Sequence, residues 1–150
     1  MTDKKEDKHY ATSYWSPEGG YKSFTPYGEI KMFEEGGHRA VEVMLLAVAA
    51  CLNYYLVEYV KERNLPITNI GVKCNAEMTE YPERVSKITT LVSIQGAISE
   101  RECKKMVTMC ERACKVANTL KYQPKIEVVI EQLNDASTAV PPKKHASIDR

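Results

Sequence analysis

Charge of one sign is the first thing this sequence lacks. Its 21 Lys and Arg stand against 20 Asp and Glu, a formal net charge of +1. Without a cationic excess there is little to displace counterions from a phosphate backbone, which argues against nucleic acid as a partner. A long hydrophobic run is missing as well. The greasiest stretch, Val43 to Val57, is shorter than the ~20 apolar residues a membrane span needs and contains Asn53. It reads as a buried helix, and no membrane association is expected. The opening MTDKKEDKHY is charged and has no apolar core segment, so no secretory signal is expected. There is no CxxC, which disfavours a thioredoxin-like site. The cysteines number five, an odd count in a chain read as unexported. That suits a reducing compartment rather than a disulfide framework, and a cytoplasmic location is expected.

What is present is an ordinary globular composition, 43% hydrophobic and 27% charged over 150 residues, which predicts one domain with a single core. Residues 1–9 form a charged leader. From Tyr10 to Glu35 the chain is rich in Tyr, Thr, Trp and Phe, and SPEGG and TPYGE punctuate it with turn chemistry. Short antiparallel strands are predicted near 10–15, 20–25 and 28–34. After Gly36-Gly37 comes a stretch free of Pro and Gly, predicting a helix over roughly 40–63 that Asn64 and Pro66 end. Its first half is apolar all round, which predicts burial on nearly every side and better cover in a dimer than in a monomer.

Ile70, Val72, Cys74, Ala76 and Met78 alternate with polar residues, so 67–79 reads as a half-buried strand. A second follows at 85–97, with Ile88, Thr90, Val92 and Ile94 on one side. Ser99 and Glu102 have the spacing of a capping box. The helix they open carries Cys103, Met106, Val107, Cys110, Ala113, Cys114 and Ala117 at helical spacing. KIEVVIEQL reads as a last strand, and the polar tail over 136–150 reads as unstructured beyond a domain of 1–135. Helices packed on antiparallel sheet make an α+β domain.

Free cysteine packs as a small hydrophobe, and on that ground Cys74, Cys103 and Cys110 are core residues. By position alone Cys51 and Cys114 read the same way. Cys110 and Cys114, spaced i and i+4, would point together as two zinc ligands on a helix do. The histidines (His9, His38, His145) stand in segments without ligand spacing, so neither a metal nor another cofactor is expected.

Two stretches change the weight on Cys51 and Cys114. Gly36-Gly37 is followed by AVEVMLLAVAAC ending at Cys51, and ERACKVANTL carries Cys114 in the second helix. In order and separation these resemble the OsmC/Ohr family, the osmotically inducible and organic hydroperoxide resistance proteins. That family has a Gly-Gly segment, a Pro-x-Glu-Leu-Leu-type helix start, Ala-Ala-Cys in a buried helix, and an Ala-Cys-Pro-Val-Ser-Asn-type sequence further on. The resemblance spans Gly36 to Leu120 and falls on the OsmC-like branch. It implies an antiparallel sheet packed on a long central helix and a second helix, in an intertwined homodimer with sites at the interface. It further implies a thiol peroxidase in oxidative stress defence. Cys51 would attack an organic hydroperoxide and become a sulfenic acid, Cys114 would resolve it as a disulfide, and an external dithiol, such as a lipoylated protein, would reduce that disulfide. Leu45, Leu46, Leu52, Tyr54 and Tyr55 would supply an apolar site. An OsmC-fold protein with little peroxidase activity, acting as an apolar-ligand-binding or redox-sensing protein, is the alternative.

The sequence departs from the family pattern at several positions. The family's activating arginine from the N-terminal strands has no counterpart, since no arginine precedes Arg39; Lys22 and Arg39 are the basic residues in that region. Ala40 and Lys115 stand where the family has proline. Glu42, the candidate for the organising glutamate, precedes Cys51 by nine residues, the separation of the less-characterised OsmC-like branches. On an unbroken helix that is ~13.5 Å of rise and about half a turn out of phase. Glu42 therefore reaches Cys51 only if residues 38–43 fold back as a loop; otherwise it complements the helix dipole from the first turn. Cys110 remains open as a substitute resolver.

Overall fold

The computed structural model describes residues 9–132. The leader up to residue 8 and the tail from 136 lie outside the described residues. The described residues fall into two compact units, one holding residues 9–40 together with 127–132, the other Val41–Ile126.

The first unit contains an antiparallel meander of β1 (Thr12–Ser16), β2 (Gly20–Thr25) and β3 (Gly28–Ile30). Ser13 faces Ser23 and Trp15 faces Tyr21 across β1 and β2. The SPEGG turn is held by the Gly19 amide, which donates to Ser16 Oγ at 2.9 Å. Gly20 follows at φ +61°, where a side chain would collide with the Glu34 carboxylate. That carboxylate accepts the Tyr21 amide at 3.0 Å. The third strand is shorter than the 28–34 expected. Beyond Ile30 the backbone turns on itself instead: Glu34 donates to the Met32 carbonyl at 2.8 Å and Gly37 to that of Glu34 at 2.7 Å. These bonds occupy groups a longer strand would need for pairing.

The second unit opens with α1 (Ala40–Arg63), 24 residues long. Glu42 lies in its first turn and Lys61 and Arg63 in its last, as the helix dipole favours. Asn64 then takes the left-handed conformation at φ +49°, and Pro66 prevents continuation. By length and composition alone α1 could cross a membrane, with a mean hydropathy of 1.9. One stripe of it packs into the core: Leu52 and Leu56 are buried with Met106, Cys110 and Cys114, and Ile67, Ile70, Val72, Val92 and Ile94 pack against them. The expected burial on nearly every side is not met within one chain. Only Val48, Leu52 and Leu56, an i, i+4 stripe, are buried, while Leu46 and Tyr54 are each 62% exposed.

The strands β4 (Ile67–Glu80) and β5 (Glu83–Gly96) form an antiparallel hairpin with Ile70 opposite Ile94 and Val72 opposite Val92. Ile70, Val72, Cys74 and Ala76 share the half-buried face, as the alternation predicts. Met78 does not follow them and is exposed. The register shifts there, Glu77 pairing with Lys87 and Met78 with Val85, so Ser86 is the extra residue of a bulge. Its Oγ donates to the Glu77 carbonyl at 3.0 Å.

Ser99 caps α2 (Glu100–Ala113) with the expected box: its Oγ accepts the Glu102 amide at 3.2 Å, and the Glu102 carboxylate accepts the Ser99 amide at 3.4 Å. The single helix read through Ala117 is in fact two. Cys114 takes an extended ψ of 107°, and α3 (Lys115–Lys121) starts after it. Asn118 staples the junction, its side-chain amide donating to the Arg112 carbonyl at 2.9 Å, one of the acceptors a helix end leaves without a partner.

The expected last strand is also corrected. No strand forms among the described residues after α3, and Ile126, Val128, Val129 and Ile130 are 84–90% exposed. A strand exists only with a ladder to pair with, and this segment forms none among the described residues. The architecture is therefore α+β, as expected, and among the described residues its antiparallel strands fall into two sheets.

Candidate active site

The site is built where α1 meets the break between α2 and α3. Cys51 stands next to Leu52 of the buried stripe and is half-buried. Cys114 is 1% exposed because the chain turns there, directing its side chain into the core with Leu52, Leu56, Met106 and Cys110. Cys51 packs against this same cluster, near enough for its thiol to act on that of Cys114. Burial pushes the Cys114 thiol up, and the Cys51 thiol beside it adds to that rise. The backbone amides of Ala117 and Val116 pull in the opposite direction. They do so as nearby dipoles, for the sulfur makes no capping hydrogen bond of standard geometry at the start of α3.

The other cysteines separate clearly. Cys110 is buried one turn before Cys114, and burial raises its pKa while the Arg63 guanidinium lowers it. Cys74 lies outside the cluster, on β4, with its sulfur 3.4 Å from Thr90 Oγ1. Cys103 is half-buried near the start of α2. No group of three His, Cys, Asp or Glu side chains among the described residues is placed to hold a metal ion.

A groove of about 1330 Å³ runs alongside, floored by Val48, Leu52, Val92, Val107 and Ala117. Cys114 lines it and Cys51 does not, so within one chain the groove meets the thiol pair through Cys114.

The sequence matches a family model described as OsmC-like protein over residues 33–129. The chain belongs to the OsmC-like family. No curated protein matches it. Among solved structures, this OsmC-like chain is similar to a hypothetical protein from Aquifex aeolicus VF5 at 20% identity, covering 77% of this chain and 88% of that one with a TM-score of 0.67. It is similar to an OsmC like protein from Mycoplasma pneumoniae at 15% identity, covering 77% and 89%, with a TM-score of 0.66. The organic hydroperoxide resistance protein OhrB of Bacillus subtilis aligns at 13% identity over 77% and 91%, with a TM-score of 0.56. At these identities the likeness is one of fold.

Not every sequence-derived site residue joins the OsmC-like pair. Glu42 does not: α1 is unbroken from Ala40, the fold-back over 38–43 is not formed, and Glu42 is an exposed first-turn residue. Nine helical residues leave it ~13.5 Å along the axis and about half a turn from Cys51. Lys22 is an exposed residue of β2 in register with Tyr14, and Arg39 is exposed just before α1. Lys115 is exposed at the start of α3. One feature beside Cys114 had no sequence signal. Lys121 Nζ lies 2.6 Å from Glu111 Oε1, an ion pair that bridges α3 and α2. The helix break brings the two together, and the apolar spacing conceals that break.

Proposed function

We propose that this OsmC-like protein is a cytoplasmic thiol peroxidase that reduces organic hydroperoxides in stress defence. The observation that carries the reading is that Cys51 packs against the apolar cluster that buries Cys114, bringing the two thiols into one neighbourhood. The Cys51 thiolate sulfur attacks one oxygen of ROOH, the O–O bond breaks, and ROH departs with a proton, leaving Cys51 as a sulfenic acid. Cys114 sulfur then attacks that sulfur; the S–S bond forms, the S–O bond breaks, and the thiol proton leaves with hydroxide as water. A dithiol such as a lipoylated protein gives two electrons and two protons to regenerate both thiols. No metal or cofactor enters these steps. Cys114 next to Cys51 favours closure of the disulfide over further oxidation of the sulfenic acid.

The working form in this reading is a homodimer. Its support is the apolar surface one chain leaves open: Leu46 and Tyr54 on α1, and the Ile126 to Ile130 segment with no ladder. A second copy would cover both, and would complete the wall beside Cys51 that the groove of one chain lacks.

One equivalent of cumene hydroperoxide followed by intact mass and peptide mapping tests the chemistry. The expected result is the loss of two hydrogens and a Cys51–Cys114 crosslink within seconds. The second reading, an OsmC-fold protein that binds an apolar ligand and turns over slowly, is favoured by the raised Cys114 pKa and by Glu42 standing away from Cys51. It predicts thiols oxidised no faster than free cysteine.

A further inference from the structure

The thiol pair has a charged neighbour that the peroxidase cycle described above does not use. Glu111 lies in the last turn of α2, and its carbonyl accepts the Cys114 amide at 3.2 Å. Lys121 ends α3, and its ammonium reaches back 2.6 Å to the Glu111 carboxylate. The pair thus closes across the break whose apex is Cys114, and Glu111, Cys114 and Lys121 line the same groove. We propose that Lys121, held by Glu111, is the positioning residue for the resolving step: its ammonium stabilises the Cys114 thiolate as it attacks Cys51, and the ion pair keeps α3 folded against α2 so that the sulfur faces its target.

The proposal rests on the peroxidase reading for its chemistry and on the ion pair for its geometry. Cys114 must lose its proton to become a nucleophile, while burial and the Cys51 thiol oppose that loss. The amides of Val116 and Ala117 offset part of the penalty. Lys121 is the cation on the same groove wall. Glu111 first and Cys114 more weakly help it retain its proton. Burial is the largest effect on the Cys114 thiol, and a stabilising pull from the Lys121 ammonium on the thiolate is the part proposed here. In the step itself the proton of Cys114 leaves with the hydroxide lost by the Cys51 sulfenic acid, so the sum is one disulfide and one water. Lys121 stays charged throughout.

Lys121 and Glu111 are each about half exposed, 52% and 51%, so solvent screening limits the effect. A change of about two- to fivefold is expected, the range of exposed charge pairs. The test compares the full-length protein with Lys121→Met and Lys121→Arg. Methyl methanethiosulfonate labels Cys114 across a pH series, read by peptide mapping. Separately, the ratio of Cys51–Cys114 disulfide to Cys51 sulfinic acid is measured after one equivalent of cumene hydroperoxide. Lys121→Met should move the Cys114 labelling midpoint to higher pH and shift the product ratio two- to fivefold toward sulfinic acid. Lys121→Arg should restore both, and added salt should shrink the difference between wild type and Lys121→Met. Equal midpoints and equal ratios in wild type and Lys121→Met, or an arginine that rescues neither, overturn the proposal. A Cys51 that resists the hydroperoxide in the wild type would sink the peroxidase reading instead, and the labelling midpoint would still decide whether Lys121 acts on Cys114.

Discussion

The two sides of α1 differ more than their composition does. Toward α2 and the β4–β5 hairpin, Val48, Leu52 and Leu56 are buried, and Cys51 is carried alongside them to Cys114. Away from it, Leu46 and Tyr54 stand open, though they are as apolar as their buried neighbours. The first side is complete within one chain and the second is not. What brings the thiols near one another is therefore local to the second unit, whereas the cover for the open side would come from the second copy proposed above. The exposed Ile126 to Ile130 segment repeats the lesson, since it has the composition of a strand and joins no sheet among the described residues.

The largest expected effect breaks the complete side. Cys51→Ser should reduce hydroperoxide consumption, followed by a peroxide assay, to the rate of free thiols, and Cys114→Ser should permit one turnover and then stall as Cys51 over-oxidises. Cys74→Ser should retain turnover; equal loss there would remove the assignment, because Cys74 lies outside the cluster. Next comes packing. Leu56→Ala should cost about 2–5 kcal/mol in denaturant unfolding, the range for a buried leucine truncated to alanine.

Leu46→Ala sharpens the comparison. On a solvent-facing helix surface it should fall within about 0.5 kcal/mol. Covered by a second copy, as we expect, it should cost more and make the unfolding midpoint depend on protein concentration. Light scattering that finds only a monomer at micromolar concentration would contradict that cover.

The smallest effect is one of pH. The folded state holds the Cys110 and Cys114 protons more firmly than the unfolded chain does. Below about pH 8.5, the ordinary thiol value, both states are protonated and the contribution of these groups is intact. As pH rises from there toward the raised folded values, the unfolded chain releases protons that the folded one keeps, and stability falls. Guanidinium midpoints under reducing conditions should decline over that interval, and Cys114→Ser should flatten the decline.

Much of this was legible in the residues. Asn64 with Pro66 marked the end of α1, and Ser99 with Glu102 marked the start of α2, because capping is a local interaction that spacing reveals. The hairpin followed from alternation as far as Ala76. The break at Cys114 did not follow, since Met106, Cys110 and Ala117 continue a helical period across it. The missing last strand did not follow either: KIEVVIEQL states a preference for extended backbone and says nothing about which edge will receive it. Cys51 and Cys114 stand out by family resemblance, because their nearness is set by the packing of distant elements that no spacing encodes. The same holds for Glu111 and Lys121, which only the break makes neighbours.

That break has a mechanical consequence. Within a helix, a side chain can be re-aimed only by its rotamer, because the backbone on either side is locked into a ladder. Cys114 belongs to neither helix, and its extended ψ is bounded by the Glu111 carbonyl before it and the Asn118 amide after it. A twist about this one residue swings the sulfur through an arc while both flanking coils stay wound. The sulfur is mounted on an articulation, so in the peroxidase reading proposed above, closing and reopening a bond to Cys51 would ask for torsion at a joint rather than the melting of a helix.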